Sequence, residues 1–453
     1  MDKENVMGTK PIAGVMIRMA IPVIISMLLQ ACYNIVDSVF VSRMPDTALI
    51  TGMGEYGMNA LTLAFPLQMI IGAFGIGTGV GVNALASRSL GEGKPERAGK
   101  AAGNGAFLAF LFSLMFVAVG FFVVDFYVRS QTSDPVSIEM CKSYLQVTMF
   151  FAFGLVFFGL YEKLLQATGK TIYSTIAQIC GALTNLVLDP IMSFGLLGFP
   201  ALGIRGAAIA TVIGQIVSMI VAAALHFHKN NEIPKGIGYI KPDGEIIRGI
   251  FKIAGPAILM QGLLSVMSYG LNLIFGSVSV AAVTAYGVFF KMQQFLLYAL
   301  FGLRDVITPV VAYNYGAGKK DRVLAGTRYG VLFCCIVMCA GTFAFEVFAP
   351  QLTSMFGVSD HSALLCIRAM RIAAIGFLCV GVNMALQGVF QALNRGIPSL
   401  VVSLLRLLII PLPLAFLFSR LPDAEVLIWI ALPVAEDAAA VVAVLFTVKM
   451  LKK

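Results

Sequence analysis

The sequence predicts an all-α integral membrane protein of twelve transmembrane helices, arranged as two six-helix bundles. Three observations carry that prediction: an apolar excess, the length of the uncharged runs, and an internal repeat. Of 453 residues, 59% are apolar and only 12% charged, more apolar surface than a soluble chain of this size can hide from water. Runs without a charge occupy 101–124, 143–161, 171–188, 206–225, 253–290, 329–345 and 372–394. Each approaches or exceeds the length that crosses about 30 Å of hydrocarbon as a helix, and 253–290 holds two. Backbone groups in lipid must be satisfied inside the segment, so such runs are helices, and the alternation of a membrane barrel is absent.

Taken in order, the spans are expected near 19–42, 57–86, 101–128, 140–165, 171–197, 203–227, 249–276, 281–312, 326–350, 363–390, 397–420 and 424–448. The first follows Met1–Arg18 without a small-residue cleavage site and reads as a permanent span. The second carries Gly75-x-Gly77-x-Gly79-x-Gly81; lacking a soluble strand before it and a Gly-Lys-Ser/Thr ending, this is no phosphate loop but a stripe for close helix packing or a bend. The fourth ends near Glu162, read as facing loop water. After the sixth comes His228–Arg248, the longest polar stretch away from the termini, with Pro234, Gly236, Gly238, Pro242 and Gly244; it reads as a linker. His226-x-His228 beside it has no further ligand nearby to make a metal site. The eighth span carries Lys291 and, near its inner end, Arg304-Asp305, read as a local ion pair or a gate element. The eleventh and twelfth carry Arg406 and Glu436-Asp437.

The repeat divides the chain. Gly91-Glu92-Gly93-Lys94-Pro95-Glu96-Arg97 recurs 225 residues later as Gly316-Ala317-Gly318-Lys319-Lys320-Asp321-Arg322. The same shift carries Gln166-Ala167-Thr168-Gly169-Lys170 onto Gln391-Ala392-Leu393-Asn394-Arg395, and a shift of 234 carries Ile21-Pro22 onto Gly255-Pro256. The expected domains are therefore 1–228, a linker 229–248, and 249–453. Six spans is an even number, so both halves start on one face of the membrane. That is a parallel repeat about an axis along the membrane normal, with a cavity expected between the lobes.

The net charge of +9 does not point to nucleic acid. With both termini inside, most Lys and Arg fall in loops on the inner face, the usual bias of a membrane protein. The eight cysteines show no metal-ligand spacing and read as small packing residues without a disulfide framework. The chain has no P-loop and no hydrolytic triad, so an enzyme is not expected, and movement of a solute must draw on an ion gradient.

Chemistry concentrates on a few polar residues inside the spans. Gln30, Asn34 and Asp37 recur at spacings of four and three and share one helical face. Asn185 and Asp189 lie one turn apart in the fifth span, and Pro190 removes the hydrogen bond to the Leu186 carbonyl. A carboxylate in hydrocarbon costs several kcal/mol by insertion scales, roughly, unless it is protonated, wetted or paired with a cation. Asp37 and Asp189 sit at similar depth past Arg18 and Lys170, so they are expected to form one cation site in the N-terminal lobe, the alternative being two structural hydrogen-bonding carboxylates. Arg406 and Glu436, of opposite sign on adjacent helices, are expected to pair structurally. Lys291 lines the cavity or reaches toward the interface.

These residues together resemble the multidrug and toxic compound extrusion (MATE) transporters over essentially the whole chain. The resemblance rests on Asn34-Ile-Val-Asp37, Gly91–Arg97, Gln166-Ala167-Thr168-Gly169, Asn185-Leu-Val-Leu-Asp189-Pro190, Gly203-x-x-Gly206-Ala207-Ala208-x-Ala210-Thr211, Tyr313-Asn314-Tyr315-Gly316-Ala317 and Pro433-x-x-Glu436. It implies a V-shaped central cavity and antiport of cationic or amphipathic organic compounds against Na⁺ or H⁺. Asp37, Asn185, Asp189 and Thr211, with Asn34, match the N-lobe cation pattern of the DinF/MepA-like branch, and the first three are the possible Na⁺ ligands. Another branch has acidic residues in the seventh and tenth helices; here the counterparts are the neutral Gln261 and Asn383. Gln30, Gln178, Gln261, Lys291 and Asn383 are the candidate cavity residues. The expected protein has no cofactor beyond the coupling ion, is a monomer in lipid, and sits in a bacterial plasma membrane with both termini cytoplasmic. A lipid-linked oligosaccharide flippase is the alternative within transport, and a non-transporting membrane receptor the alternative outside it.

Overall fold

The computed structural model describes residues 5–45, 52–356 and 359–451; the side chains of Asn34 and Ile35 lie outside that description. The described residues contain helices and no strand. Ten helices are long and apolar enough to cross a membrane, or twelve spans when each of two bent pairs counts as one. In order, the spans are Ile12–Ser42, Met53–Gly91, Pro95–Phe122, the pair Pro135–Phe150 and Phe153–Ala167, Thr171–Phe194, Ile204–Lys229, Gly244–Val278, Val280–Gly316, Lys320–Ser354, the pair Asp360–Ala374 and Phe377–Ala392, Gly396–Phe418 and Ala424–Met450.

The fourth and tenth spans, expected as continuous helices, are bent by 46° and 53°. Each bend lies where a glycine lets another helix approach. A Cβ on Gly154 would come within 3.0 Å of Ile216, and one on Gly376 within 2.7 Å of the Pro433 Cα. The eleventh span is also irregular. Pro411 and Pro413 remove two backbone donors, and the chain answers with a π-helical turn over Leu405–Ile409, closed by Ile410 N–H donating to Leu405 O at 3.2 Å.

Two compact units emerge, one of residues 25–258 and the other of 1–24 with 259–453. The division differs from 1–228, 229–248 and 249–453, because it falls inside the first and seventh helices rather than in the polar stretch. Both cuts come two residues after a proline, Pro22 and Pro256, and they are related by the same 234-residue shift. The side-chain contacts explain the exchange. In the C-terminal unit, Asn314 Nδ2 and Arg322 Nη2 each donate to Met7 O at 2.9 Å, Arg322 Nη2 also to Lys10 O at 2.6 Å, and Lys319 Nζ to Gly8 O at 3.1 Å. Those bonds hold the segment that feeds the first helix. In the N-terminal unit, Arg97 meets Glu245 at 3.0 Å, Lys100 meets Asp243 at 3.2 Å, and Asp243 N–H donates to Asn104 Oδ1 at 2.8 Å. Tyr239 donates to Glu96 in the same patch. The polar stretch therefore folds against the head of the third span.

The glycine stripe of the second span serves two faces of one helix. Gly75 and Gly79, one turn apart, admit the fourth span, with added Cβ atoms 3.3 Å from Val156 Cα and 2.8 Å from Gly159 O. Gly77 and Gly81 admit the start of the seventh, meeting Ile258 N at 2.9 Å and Ile250 O at 2.6 Å. Around this stripe lies the core of the N-terminal unit, including Val82, Leu108, Phe116, Leu145, Val156 and Leu160. The C-terminal unit has an aromatic centre in which Phe275, Tyr286 and Phe289 surround Trp429, with ring centroids 4.6, 6.3 and 5.6 Å from it.

Glu162, expected to face loop water, is buried at 5% exposure beside Lys163 at 1%. Lys163 Nζ lies 3.7 Å from Glu162 Oε1 and donates to Gln166 Oε1 at 3.1 Å, while Gln166 Nε2 donates to Glu162 Oε1 at 2.9 Å. Neutralisation by the adjacent ammonium lets the carboxylate stay dry. Lys163 runs over Gly79, its Cγ 2.8 Å from a Cβ placed there. The C-terminal unit has the same arrangement with the partners exchanged. The 225-residue shift carries Gly79 onto Arg304 and Lys163 onto Gly388, and Arg304 Cγ lies 3.2 Å from a Cβ placed on Gly388. Arg304 Nη2 meets Asp305 at 3.4 Å, a local buried pair.

Candidate functional site

The fifth and sixth spans pack close enough to set the site. A Cβ on Gly214 would lie 2.8 Å from Gly181 O and 3.0 Å from Asn185 Cβ, so small residues bring the polar face of the fifth span against the sixth. On that face Asn185 Nδ2 donates to Thr211 Oγ1 at 3.3 Å. The Asn185 side-chain carbonyl keeps no partner among the described residues. One turn further on, Asp189 is fully enclosed, and its Oδ1 accepts from Ser193 Oγ at 2.9 Å.

Asp37 of the first span places its carboxyl against that of Asp189, within reach of sharing a proton. Asp37 Oδ1 and Asp189 Oδ2 are both buried and accept no hydrogen bond among the described residues. Each carboxyl of the pair thus keeps one oxygen able to accept a proton or to ligate a hard cation. Nearby, Tyr144 of the fourth span is buried, and its hydroxyl accepts from Gln68 Nε2 at 2.8 Å. Toward the start of the same two helices, Gln178 Nε2 donates to Gln30 Oε1 at 2.7 Å. The structure thus brings Asp37 to Asp189, Asn185 to Thr211 and Gln30 to Gln178, all inside the N-terminal unit. Asn34 lies in the first helix, but its side chain is outside the described residues.

The remaining candidates lie in the C-terminal unit. Gln261 is half-buried and Lys291 exposed, and neither has a hydrogen-bond partner among the described residues. Asn383 is fully enclosed and donates through Nδ2 to Glu436 Oε2 at 2.8 Å and to Glu436 O at 3.0 Å. Arg406 donates to Glu436 Oε1 through Nε at 2.9 Å and Nη2 at 2.7 Å. Asn383 therefore belongs to the Arg406–Glu436 network.

Sequence reasoning missed Tyr144, Gln68 and Ser193. Ser193 had a usable signal, one turn after Asp189 on the same face. Tyr144 and Gln68 had none, since they come from helices that reach the carboxyl pair only through packing.

Comparison with known proteins bears on both halves. The profile of the MatE family matches residues 22–191 and 256–417. The chain is 26% identical over 440 residues to the multidrug export protein MepA of Staphylococcus aureus, covering 96% of this chain and 93% of that one. It is 25% identical over 424 residues to an FAD transporter of Shewanella oneidensis, covering 94% and 92%. Among solved structures, the outward-facing conformation of a multidrug resistance MATE family transporter superposes with a TM-score of 0.92 at 22% identity, covering 100% of this chain and 98% of that one. A crystal structure of a MATE protein in complex with MaL6 gives 0.91 at 22% identity. At that identity the structural likeness speaks for the fold alone. The family profile, matched across most of each half of a helical chain built to cross a membrane many times, decides the assignment: this protein belongs to the MatE family and is a multi-pass membrane transporter, not an enzyme.

Proposed function

We propose that the protein is a secondary active exporter of small amphipathic and cationic organic molecules, driven by Na⁺ or H⁺ moving the other way through the Asp37–Asp189 site. The observation that carries the reading is the contact between these two carboxyl groups inside membrane-spanning helices of one unit. Two unit charges 4 Å apart at an effective dielectric constant of about 20 repel by about 4 kcal/mol, so a proton or a metal cation between the two is strongly favoured over an empty doubly ionised pair. Binding or release of that cation changes the charge of the first and fifth helices, and a ligand shifts a conformational equilibrium only by such a difference between states. Asn185 supplies a free carbonyl one turn away, while Ser193 fixes one oxygen of Asp189. The relatives named for multidrug export support organic substrates of several kinds. The reading includes a single-chain protein working alone in a bacterial plasma membrane, with both termini cytoplasmic.

The test is gradient-driven flux in proteoliposomes. Na⁺ and pH gradients are imposed separately, and ethidium movement is followed for the unmodified protein, Asp37→Asn and Asp189→Asn. Loss of gradient-dependent flux in both variants supports the coupling site, and the gradient that works names the ion. Normal pumping by both variants under every gradient would overturn it. Movement of a lipid-linked sugar without movement of ethidium would favour a flippase.

A further inference from the structure

The fifth span carries more buried polarity than the carboxyl site itself uses. Thr171, Thr175, Gln178, Asn185 and Asp189 follow one another at spacings of four, three, seven and four residues. At about 100° per residue they share an arc of about 80° on one face of the helix. None is more than 9% exposed, and at about 1.5 Å per residue the stripe runs about 27 Å from the Lys170 end of the span to the carboxyl pair. Two of its oxygens, Thr175 Oγ1 and Gln178 Oε1, are buried and have no hydrogen-bond partner among the described residues. The interval between Gln178 and Asn185 is polar as well. Gly181 has no side chain there, and Ser218 Oγ of the sixth span occupies the space that a Cβ on Gly181 would take. The repeat supplies the contrast. The 225-residue shift that carries Gln166–Lys170 onto Gln391–Arg395 also carries Thr175 onto Leu400, Asn185 onto Ile410 and Asp189 onto Leu414. The matching stripe of the eleventh span therefore has aliphatic side chains at three of its positions.

A buried polar atom left without a partner costs about 1–3 kcal/mol, and protein interiors avoid that cost by holding water against such groups. We propose that the stripe holds a file of internal water inside the N-terminal unit, entering beside Thr171 and passing Thr175, Gln178 and Ser218 to reach Asn185 and the Asp37–Asp189 pair. Hydroxyl and amide side chains both donate and accept, so each step along the file keeps its hydrogen bonds. The file gives the carboxyl pair its own access to one face of the membrane, by a path that water and a small cation share and an organic substrate does not. The inference rests on the reading of Asp37 and Asp189 as the coupling site for the purpose of the file, but not for its existence.

The experiment measures hydrogen exchange between water and glutamine side-chain amides by NMR. It uses the purified full-length protein with isotope-labelled glutamine, in lipid nanodiscs, at one pH and without an ion gradient; Gln178→Leu and Gln387→Leu assign the two signals of interest. These two make a matched pair. Gln387 of the C-terminal unit is 3% exposed and donates through Nε2 to Ser403 Oγ at 3.1 Å, as Gln178 donates through Nε2 to Gln30 Oε1 at 2.7 Å. Gln178 is expected to exchange about tenfold faster than Gln387 or more, the weight of one net hydrogen bond to water. Thr175→Val keeps the shape of the side chain and removes its hydroxyl; it should slow Gln178 by about the same factor and leave Gln387 unchanged. Exchange at Gln178 as slow as at Gln387, or a Gln178 rate that Thr175→Val does not alter, would overturn the proposal. The comparison of the two glutamines is made in the unmodified protein, so it decides even if Thr175→Val does not fold. Because no transport is measured, this result and the gradient assay on Asp37 and Asp189 fail separately.

Discussion

The Asp37–Asp189 pair of one unit and the Arg406–Glu436 pair of the other handle charge inside a membrane in opposite ways. In the N-terminal unit, Asp37 and Asp189 face each other with no basic side chain in the contact, and each keeps an orphaned oxygen. In the C-terminal unit, Glu436 has its cation built in, because Arg406 donates two hydrogen bonds to one oxygen and Asn383 fills the other. A carboxylate with a tethered counter-ion is already neutralised and has little reason to exchange ions with water. A carboxylate pair without one is relieved only by a proton or a cation from outside. The two halves of the repeat thus share a helical frame and differ in how their buried carboxylates are partnered.

The comparison can be broken in several places, and the largest effect belongs to the carboxyl pair. Asp37→Asn and Asp189→Asn should each lower gradient-driven flux by about tenfold or more, because a lost charge difference removes the term that shifts the conformational equilibrium. The melting temperature in detergent should stay level or rise, since the substitution relieves like-charge contact. Arg406→Ala should behave in the reverse manner and lower stability by about 3–5 kcal/mol by stranding Glu436 in the interior, with Arg406→Leu/Glu436→Leu recovering most of it. Thermal unfolding of the four variants separates the two cases. If Asp37→Asn destabilises as much as Arg406→Ala, the two sites are both structural and the contrast is lost.

A smaller difference is expected at the exchanged lysine and arginine. Gly79→Ala pushes a methyl to 2.8 Å from the Gly159 carbonyl and from Lys163, whereas Gly388→Ala meets Arg304 at 3.2 Å. The first should cost about 1–3 kcal/mol by overpacking and the second less, measured on the same melting curves. The least effect falls outside the membrane, in the patch that holds the polar stretch before the seventh span. The Ile246 backbone N–H and then the Lys100 ammonium hold the Asp243 carboxyl below the usual carboxylate range. A depressed value means that this contribution is complete above the unfolded-state value and is lost as pH falls through the folded one. Hydrogen exchange across Tyr239–Ile246, corrected for intrinsic rate, should therefore speed up on acidification toward pH of about 4, and Asp243→Asn should reduce that dependence to what Glu96 and Glu245 contribute.

Much of the frame is legible in the sequence because it rests on local terms. Uncharged runs of membrane length, the recurrence of Gly91–Arg97 as Gly316–Arg322, and the spacing of Gln30, Asp37, Asn185 and Asp189 along helices need no tertiary information. They determined the membrane class, the two-fold repeat and the residues worth suspecting, and the structure does bring Asp37 to Asp189. What packing alone decided was of another kind. Glu162 looked like a loop-facing acid until Lys163 and Gln166 enclosed it. The fourth and tenth spans looked continuous until Gly154 and Gly376 admitted neighbours. Residues 229–248 read as the linker between halves, while the unit boundaries fall at Ile24 and Ile258 inside helices, because the side chains that hold each leading segment stand more than a hundred positions away. Periodicity reports which face of a helix is apolar, while the identity of the partner on that face is settled only when distant segments compete for the same contact.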